Sequence, residues 1–444
     1  MSKEISLNQI KAFNEEYYAK PTHLISQRAV KKNGILASSE NQSSIVKNNP
    51  VFSIDIDTGK VANQKQSGRC WMFAALNTFR HQITDTFNIK DFELSQNYTF
   101  FWDKFEKANY FYENILATSN EELSSRKVAF LLQTPQQDGG QWDMLVAIIQ
   151  KYGIVPKAIM PETFSSSQSR DLNGFLDKKL RKDALTLRTL VAENKSAEEI
   201  TIEKNKMLQE IYNLLATTLG TPPETFDYSY VDTYGNYHLK QDLTPQSFYD
   251  EFIGRDLNDY VSIINAPTTD KPYNQVYTVE MLGNVVGGKE VRHLNVDMPT
   301  FKGLAIGQLK AGEAVWYGCD VGQSSTRDSG LMATDVYSVE ETLDIDYTMT
   351  KADRLDYGES LMTHAMVITG VDLVDEKPTK WKVENSWGDK VGTKGYFVMS
   401  DEWLEEYTYQ IVINKKYLPK ELLEVIEKDD VTTLLPWDPM GALA

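Results

Sequence analysis

Apolar and polar positions alternate in two different ways along the chain. In the first half the spacing is helical. A nearly continuous apolar run, Cys70-Trp71-Met72-Phe73-Ala74-Ala75-Leu76-Asn77-Thr78-Phe79, follows the polar stretch Gln64–Arg69. It predicts a helix to about Phe87, with Ser67 as its N-cap. Trp142, Leu145, Val146 and Ile149 share a helical face, and Gly153 closes it. Leu172, Phe175, Leu176 and Leu180 predict one further helix; Met207, Leu208, Ile211, Leu214 and Leu215 predict another, ended by Gly220 and Pro222-Pro223. From Phe226 the period moves toward two. Phe226, Tyr228 and Tyr230 alternate before the turn at Gly235-Asn236, and Tyr260–Ile264 and Val276–Val286 read as strands. Phe301–Leu309 reads as a helix, Ala314–Val321 as an apolar strand, and Thr363–Lys415 as the clearest β region, with a short helix near Glu402–Glu406. Residues 1–50 are polar, with a short helix suggested by Ile5, Ile10 and Phe13, a loop expected over Ser38–Lys47 and a short strand over Phe52–Ile56. The fold class is α+β.

Composition narrows the class of function. The 444 residues are 41% apolar and 25% charged, which suits a globular chain with an ample core. The net charge of −17 argues against nucleic acid or an anionic membrane surface as partner. No apolar run approaches the roughly 20 residues that span a bilayer. The aromatics Tyr98–Tyr112 read as core rather than as a platform for bases. Two cysteines, Cys70 and Cys319, are too few for a disulfide framework and suit a reducing, cytoplasmic setting. No histidine pair has zinc spacing, so no metal or cofactor is expected.

The candidate chemistry starts at Cys70. A cysteine on an apolar helix is commonly a small buried hydrophobe, and Cys319 is read that way. Cys70, however, falls in the first helical turn, where free N–H groups and the helix dipole favour a thiolate. A thiol of pKa about 8.5 is only a few per cent thiolate at pH 7 and needs such help, and a base. Gln64 carries an amide within reach of an oxyanion. His364 opens the strand-like run His364–Val371; Trp381, Val383, Asn385 and Trp387 share one face of the next run, with charges opposite. Folded as a hairpin about the polar link Asp375–Pro378, the two runs bring His364 and Asn385 nearly opposite each other. An amide oxygen beside the imidazole fixes its tautomer and leaves the other ring nitrogen for the sulfur, and Trp387 would shield that bond. Asp138-Gly139-Gly140 reads either as a turn before a helix or as exposed backbone that an extended peptide can pair with.

Gln64, Cys70-Trp71, Asp138-Gly139-Gly140, His364 and Asn385-Ser386-Trp387-Gly388 stand in the order of the papain superfamily, which the chain resembles. The resemblance implies a two-lobed papain-like cysteine peptidase: a helical lobe and a β-barrel-like lobe. It implies Cys70 as nucleophile, His364 as general base then acid, Asn385 as orienting residue, and Gln64 with the Cys70 N–H as oxyanion hole. Asp138, Gly139 and Gly140 would hold substrate. Two departures place it in the bleomycin hydrolase branch. Cys70 and His364 lie 294 positions apart, against about 130–150 in the papain pattern. Ser67 also stands where secreted members carry a disulfide cysteine. The motifs Asn63–Ala74, Leu132–Gly140, Lys382–Gly388 and Pro436–Ala444 are similar to the aminopeptidases of that branch. On this basis residues 1–60 are an N-terminal extension, 61–163 the helical lobe, 164–290 a mainly helical insertion, 291–430 the β-rich lobe and 431–444 a C-terminal arm in the cleft. A homohexamer acting on short or unfolded peptides is implied.

The arm Leu434–Ala444 is apolar and stiffened by Pro436 and Pro439. Its free carboxylate at Ala444 would anchor a substrate ammonium, and its bulk would exclude longer chains. The resulting expectation is a cytosolic cysteine aminopeptidase. The rival readings are a thiol endopeptidase whose arm fails to block the cleft, and a non-catalytic assembly protein on a papain scaffold.

Overall fold

The polar start of the chain is more ordered than its pattern suggests. In the computed structural model, which describes residues 4–444, helices Leu7–Ala19 and Pro21–Asn33 bury none of their own residues. Short helices Ile35–Ser39 and Gln42–Lys47 stand where a loop was expected. Asn41 nucleates the second by accepting the Ser43 N–H, a cap that a periodicity reading passes over.

Helix Cys70–Phe87 lies at the centre of the helical lobe. Thirteen of its residues are buried, from Cys70 through His81 and Ile83. A helix apolar on all sides can only be a core helix. Helices Gln96–Ala117 and Trp142–Tyr152 pack on it. The long pair Arg170–Ala192 and Ala197–Leu219 packs on Gln96–Ala117 through Leu172, Leu176, Leu180, Met207, Ile211 and Leu215, sharing the same core. Phe175, expected on that face, is instead 63% exposed.

The second lobe is built on a twelve-stranded sheet. His364–Val374 is flanked antiparallel by Val315–Cys319 and by Lys377–Glu384. Strands Tyr260–Ile264 and Gln275–Val279 also belong to this sheet, pairing with Thr408–Asn414 and Val431–Leu434 respectively. The boundary expected at residue 290 therefore falls inside the sheet-forming segment. These strands are five residues long, and their partners lie about 150 positions later, so no local pattern marks them as part of the sheet.

The lobes are pinned together beside the cleft. Trp316 Nε1 donates to the Trp71 carbonyl at 3.0 Å. Glu384, at the end of its strand, accepts from Arg80 at 2.6 Å and bonds His81 at 3.0 Å on the central helix. The last strand, Val431–Leu434, directs residues 435–444 back to the helical lobe, where Met440 and Ala444 join its core. The whole is the α+β, two-lobed, papain-like arrangement.

Candidate active site

Cys70 is the first residue of its helix, and the N-cap is Arg69, without a side-chain cap bond. Ser67, expected in that role, instead donates to the Gln64 carbonyl at 2.7 Å and accepts from Arg69 Nε at 2.9 Å. The entry loop is thus held by its own polar groups. The helix's first N–H groups remain available to the sulfur. Burial pushes the Cys70 thiol up to about 11, and the N–H groups of Ala365, Trp71 and Cys70 itself pull it down. The helix terminus acts as its position predicts, but desolvation outweighs it. The Ala365 N–H reaches Sγ at 3.5 Å, so the sulfur lies against the residue that follows His364.

His364 Nε2 bonds Asn385 Oδ1 at 2.9 Å. Asn385 is buried, and the same oxygen accepts the Ser386 N–H at 2.7 Å. An amide oxygen held this way accepts the ring proton at Nε2, leaving Nδ1 without one. The Trp387 ring lies 4.9 Å from the imidazole, tilted by 33°. Burial pushes His364 down to about 4, opposed by the Asn385 bond. Burial thus disfavours the charged form of both partners.

The hairpin that joins the two residues has a different register from the expected one. Val374 pairs with Lys377 and Val367 with Glu384, with two bulges between, and the ladder ends at Glu384. His364 itself pairs with Cys319 on the other side. Asn385 meets His364 from just beyond the ladder rather than from directly across it. Glu384, expected to face solvent, is buried with Arg80 and His81.

Gln64 is fixed from three directions. Its N–H donates to the Ser386 carbonyl at 2.8 Å, its Oε1 accepts from Ser386 Oγ, and its Nε2 donates to the Ser67 carbonyl at 2.7 Å. An amide nitrogen has two hydrogens, so one remains for a ligand.

Gly139 and Gly140 face the end of the chain. Gly140 N–H donates to Ala444 O at 3.2 Å, and Ala444 N–H donates to Gly140 O at 3.3 Å. Gln141 Nε2 donates to Ala442 O at 2.6 Å. A Cβ on Gly139 would stand 2.8 Å from Ala444 O; one on Gly140 would stand 2.5 Å from Trp71. Both positions therefore need glycine for close approach. Further back, Arg126 stacks on Trp437 at 3.8 Å and Asp438 pairs with Lys271 at 3.0 Å.

Asp138 does not face the cleft as its neighbours do. Its carboxylate takes the Gly68 N–H at 2.9 Å, Asn173 Nδ2 at 2.8 Å, the Ser169 hydroxyl, and Lys104 at 2.9 Å. Burial would raise its pKa, but the Lys104 ammonium and these bonds hold it well below the usual carboxylate range. Its backbone oxygen accepts Trp71 Nε1 at 2.8 Å. The side chain expected to hold substrate is committed to the scaffold, tying the Cys70 loop to the glycine pair.

Two further residues, Lys107 and Arg69, support the site in ways that the sequence pattern does not reveal. Lys107 donates to the carbonyls of Gln137 and Gly139 at 3.0 and 2.7 Å, setting the edge against which Ala444 lies. Arg69, fully buried, makes a bidentate pair with Glu162 at 3.1 and 2.8 Å and stacks on Phe73 and Phe100. Only the partners, 30 and 93 positions away, give these side chains meaning. Among the described residues no group of histidine, cysteine, aspartate and glutamate could hold a metal ion.

The profile of the Peptidase C1-like family matches residues 4–441. Aminopeptidase C of Lactobacillus delbrueckii subsp. lactis is 55% identical, covering 100% of this chain and 99% of that protein. Aminopeptidase C of Streptococcus thermophilus is 57% identical, covering 97% and 96%. The crystal structure of PepW from Lactobacillus rhamnosis HN001 (DR20) is 64% identical, with a TM-score of 0.99 over 100% of both chains. The chain belongs to the Peptidase C1-like family of papain-like cysteine peptidases.

Proposed function

We propose that this cysteine-type aminopeptidase removes single N-terminal residues from peptides through an acyl-enzyme on Cys70. The observation that carries the reading is the seat of Ala444. It forms a two-way backbone pair with Gly140, as a bound peptide would, and Gly140 in turn packs closely on Trp71, the neighbour of Cys70 in the chain. On this reading the arm occupies the cleft on the Gly140 side and stops short of the nucleophile. Only one residue of substrate fits before the scissile bond, and its ammonium meets the terminal carboxylate.

The chemistry follows from the residues in place. Sγ attacks the scissile carbonyl carbon as His364 Nδ1 takes the thiol proton. The carbonyl oxygen becomes an oxyanion, held by the free Gln64 Nε2–H and the Cys70 N–H. The C–N bond breaks and His364 returns the proton to the leaving amine. Water then attacks the thioester, His364 takes its proton, and the thiol is restored as the amino acid leaves. Asn385 keeps the imidazole in the required tautomer throughout.

A matched pair tests this: an aminoacyl amide with a free amine and its N-acetylated twin. The full chain is expected to cleave only the first, and Cys70→Ala neither. Equal cleavage of both would move the assignment to an endopeptidase with an open cleft.

A homohexamer and a cytoplasmic location belong to the same proposal. Leu7, Ile10, Phe13 and Ile25, exposed on the N-terminal helices, support an assembly contact, while the number six rests on the family resemblance. Two free cysteines support a reducing compartment. No helix among the described residues is long and apolar enough to cross a membrane.

A further inference from the structure

The cleft has a second side, beyond His364, where the leaving fragment must lie, because His364 hands it a proton. Trp387 packs on that imidazole. Over the Trp387 ring, with its guanidinium carbon 4.9 Å from the centroid, stands Arg327. It comes from the turn between strands Ser325–Thr326 and Leu331–Met332. That turn is fixed by the Gly330 N–H on the Thr326 carbonyl at 3.0 Å, and joined to the Trp387 loop by the Gly392 N–H on the Asp328 carbonyl at 3.2 Å.

Arg327, like Arg126 on Trp437, stacks on an indole without holding a carboxylate. Arg69, Arg80, Arg292 and Arg354 each hold a carboxylate. Arg327 is exposed, and among the described residues neither an ion pair nor a hydrogen bond reaches its guanidinium. Neighbouring Asp328 does not pair with it. Stacking on indole holds a guanidinium in place by its face and leaves its N–H edge free, the geometry that suits a carboxylate.

Distance sets the ligand. Two 4.9 Å steps, imidazole to indole and indole to guanidinium, keep the cation within about 10 Å of His364. A peptide spans up to about 3.5 Å per residue. A leaving fragment of one or two residues therefore brings its terminal carboxylate within this radius, whereas a longer one carries it past. We propose that Arg327 forms a carboxylate subsite on the leaving side, giving preference to di- and tripeptides with a free C-terminus. The inference rests on the aminopeptidase reading and names its substrate class.

The test compares kcat/KM for a tripeptide and for its C-terminal amide, both with free N-termini, in the full chain and in Arg327→Gln. The expected preference of the full chain for the free acid is about fivefold, the size of an exposed ion pair near 1 kcal/mol. It should shrink with added salt, as exposed charge pairs do. In Arg327→Gln the acid-to-amide ratio should fall to about one. An acid-to-amide ratio that is the same in both proteins overturns the subsite. The N-acetylated tripeptide, run alongside, separates the two levels. Its cleavage at the rate of the free-amine peptide would overturn the aminopeptidase reading, whereas its resistance, with an unchanged acid-to-amide ratio, would overturn Arg327 alone.

Discussion

The two ends of the cleft are built in opposite ways. At the Gly140 end the C-terminal arm lies against the glycine pair: Ala444 is 4% exposed and pairs with the Gly140 backbone in both directions. At the Trp387 end the backbone pairs with the Gln64 loop, through the Gln64 N–H on the Ser386 carbonyl and the Gly388 N–H on the Ala62 carbonyl, rather than with the C-terminal arm. The Trp387 ring packs on His364, the Arg327 guanidinium stands over that ring, and Arg327 is exposed. Each end also holds a buried histidine. His364 serves the open end; His293 lies beneath the arm, bonded to Ser262 Oγ at 2.7 Å and near the Met440 backbone. The difference teaches where selectivity resides. On the proposed reading the reacting groups lie between the ends, and the filled end restricts them to a chain terminus. Because the arm is tethered, its occupancy is an intramolecular event with a high effective concentration.

The largest change is expected where the ends meet. Gln64→Ala removes a donor aimed at developing charge, and such donors are worth ~2.7–4 kcal/mol, or about 10²–10³ in kcat. Steady-state kinetics on an aminoacyl amide should show the loss in kcat with KM little changed, and with free-amine selectivity intact. A smaller change should break the filled end alone. In Gly139→Ala the new Cβ meets Ala444 O at 2.8 Å and Leu443 Cβ at 2.9 Å, so the arm must shift. The ratio of free-amine to N-acetyl cleavage is expected to fall by about tenfold or more, the effect of 1.4 kcal/mol of lost seating.

The smallest effect concerns acid. Burial pushes both His364 and His293 from 6.5 to about 4. Each is neutral in the folded chain and takes a proton on unfolding at any pH between those values. Their contribution to stability is therefore full above about 6.5 and is lost as pH falls toward 4. The loss is on the order of 3 kcal/mol for each. Thermal unfolding should show Tm falling through that window, and less steeply in His293→Gln than in the unaltered chain.

What could be read from the sequence was local, or fixed by chain order. Helix Cys70–Phe87 followed from an unbroken apolar run, and the pairing of His364 with Asn385 from two strand-like runs about a short polar link. The register did not follow, because two bulges shift the ladder. Glu384 looked solvent-facing because alternation alone places it opposite Val383; its partners Arg80 and His81 lie more than 300 positions earlier. Lys107 and Arg69 were silent for the same reason. Asp138 shared a motif with Gly139 and Gly140, and only the structure separates the side chain that braces the loop from the backbone that receives a peptide.

The most direct test of the account is to remove the filled end and keep the rest. The full chain and a chain lacking residues 441–444 would be assayed on a free-amine peptide and its N-acetylated twin. The account predicts that truncation opens the cleft: the acetylated peptide, resistant to the full chain, becomes a substrate, and the advantage of a free amine disappears. A truncated enzyme that stays active and still requires a free amine would contradict it, and would place recognition of the N-terminus somewhere other than Ala444.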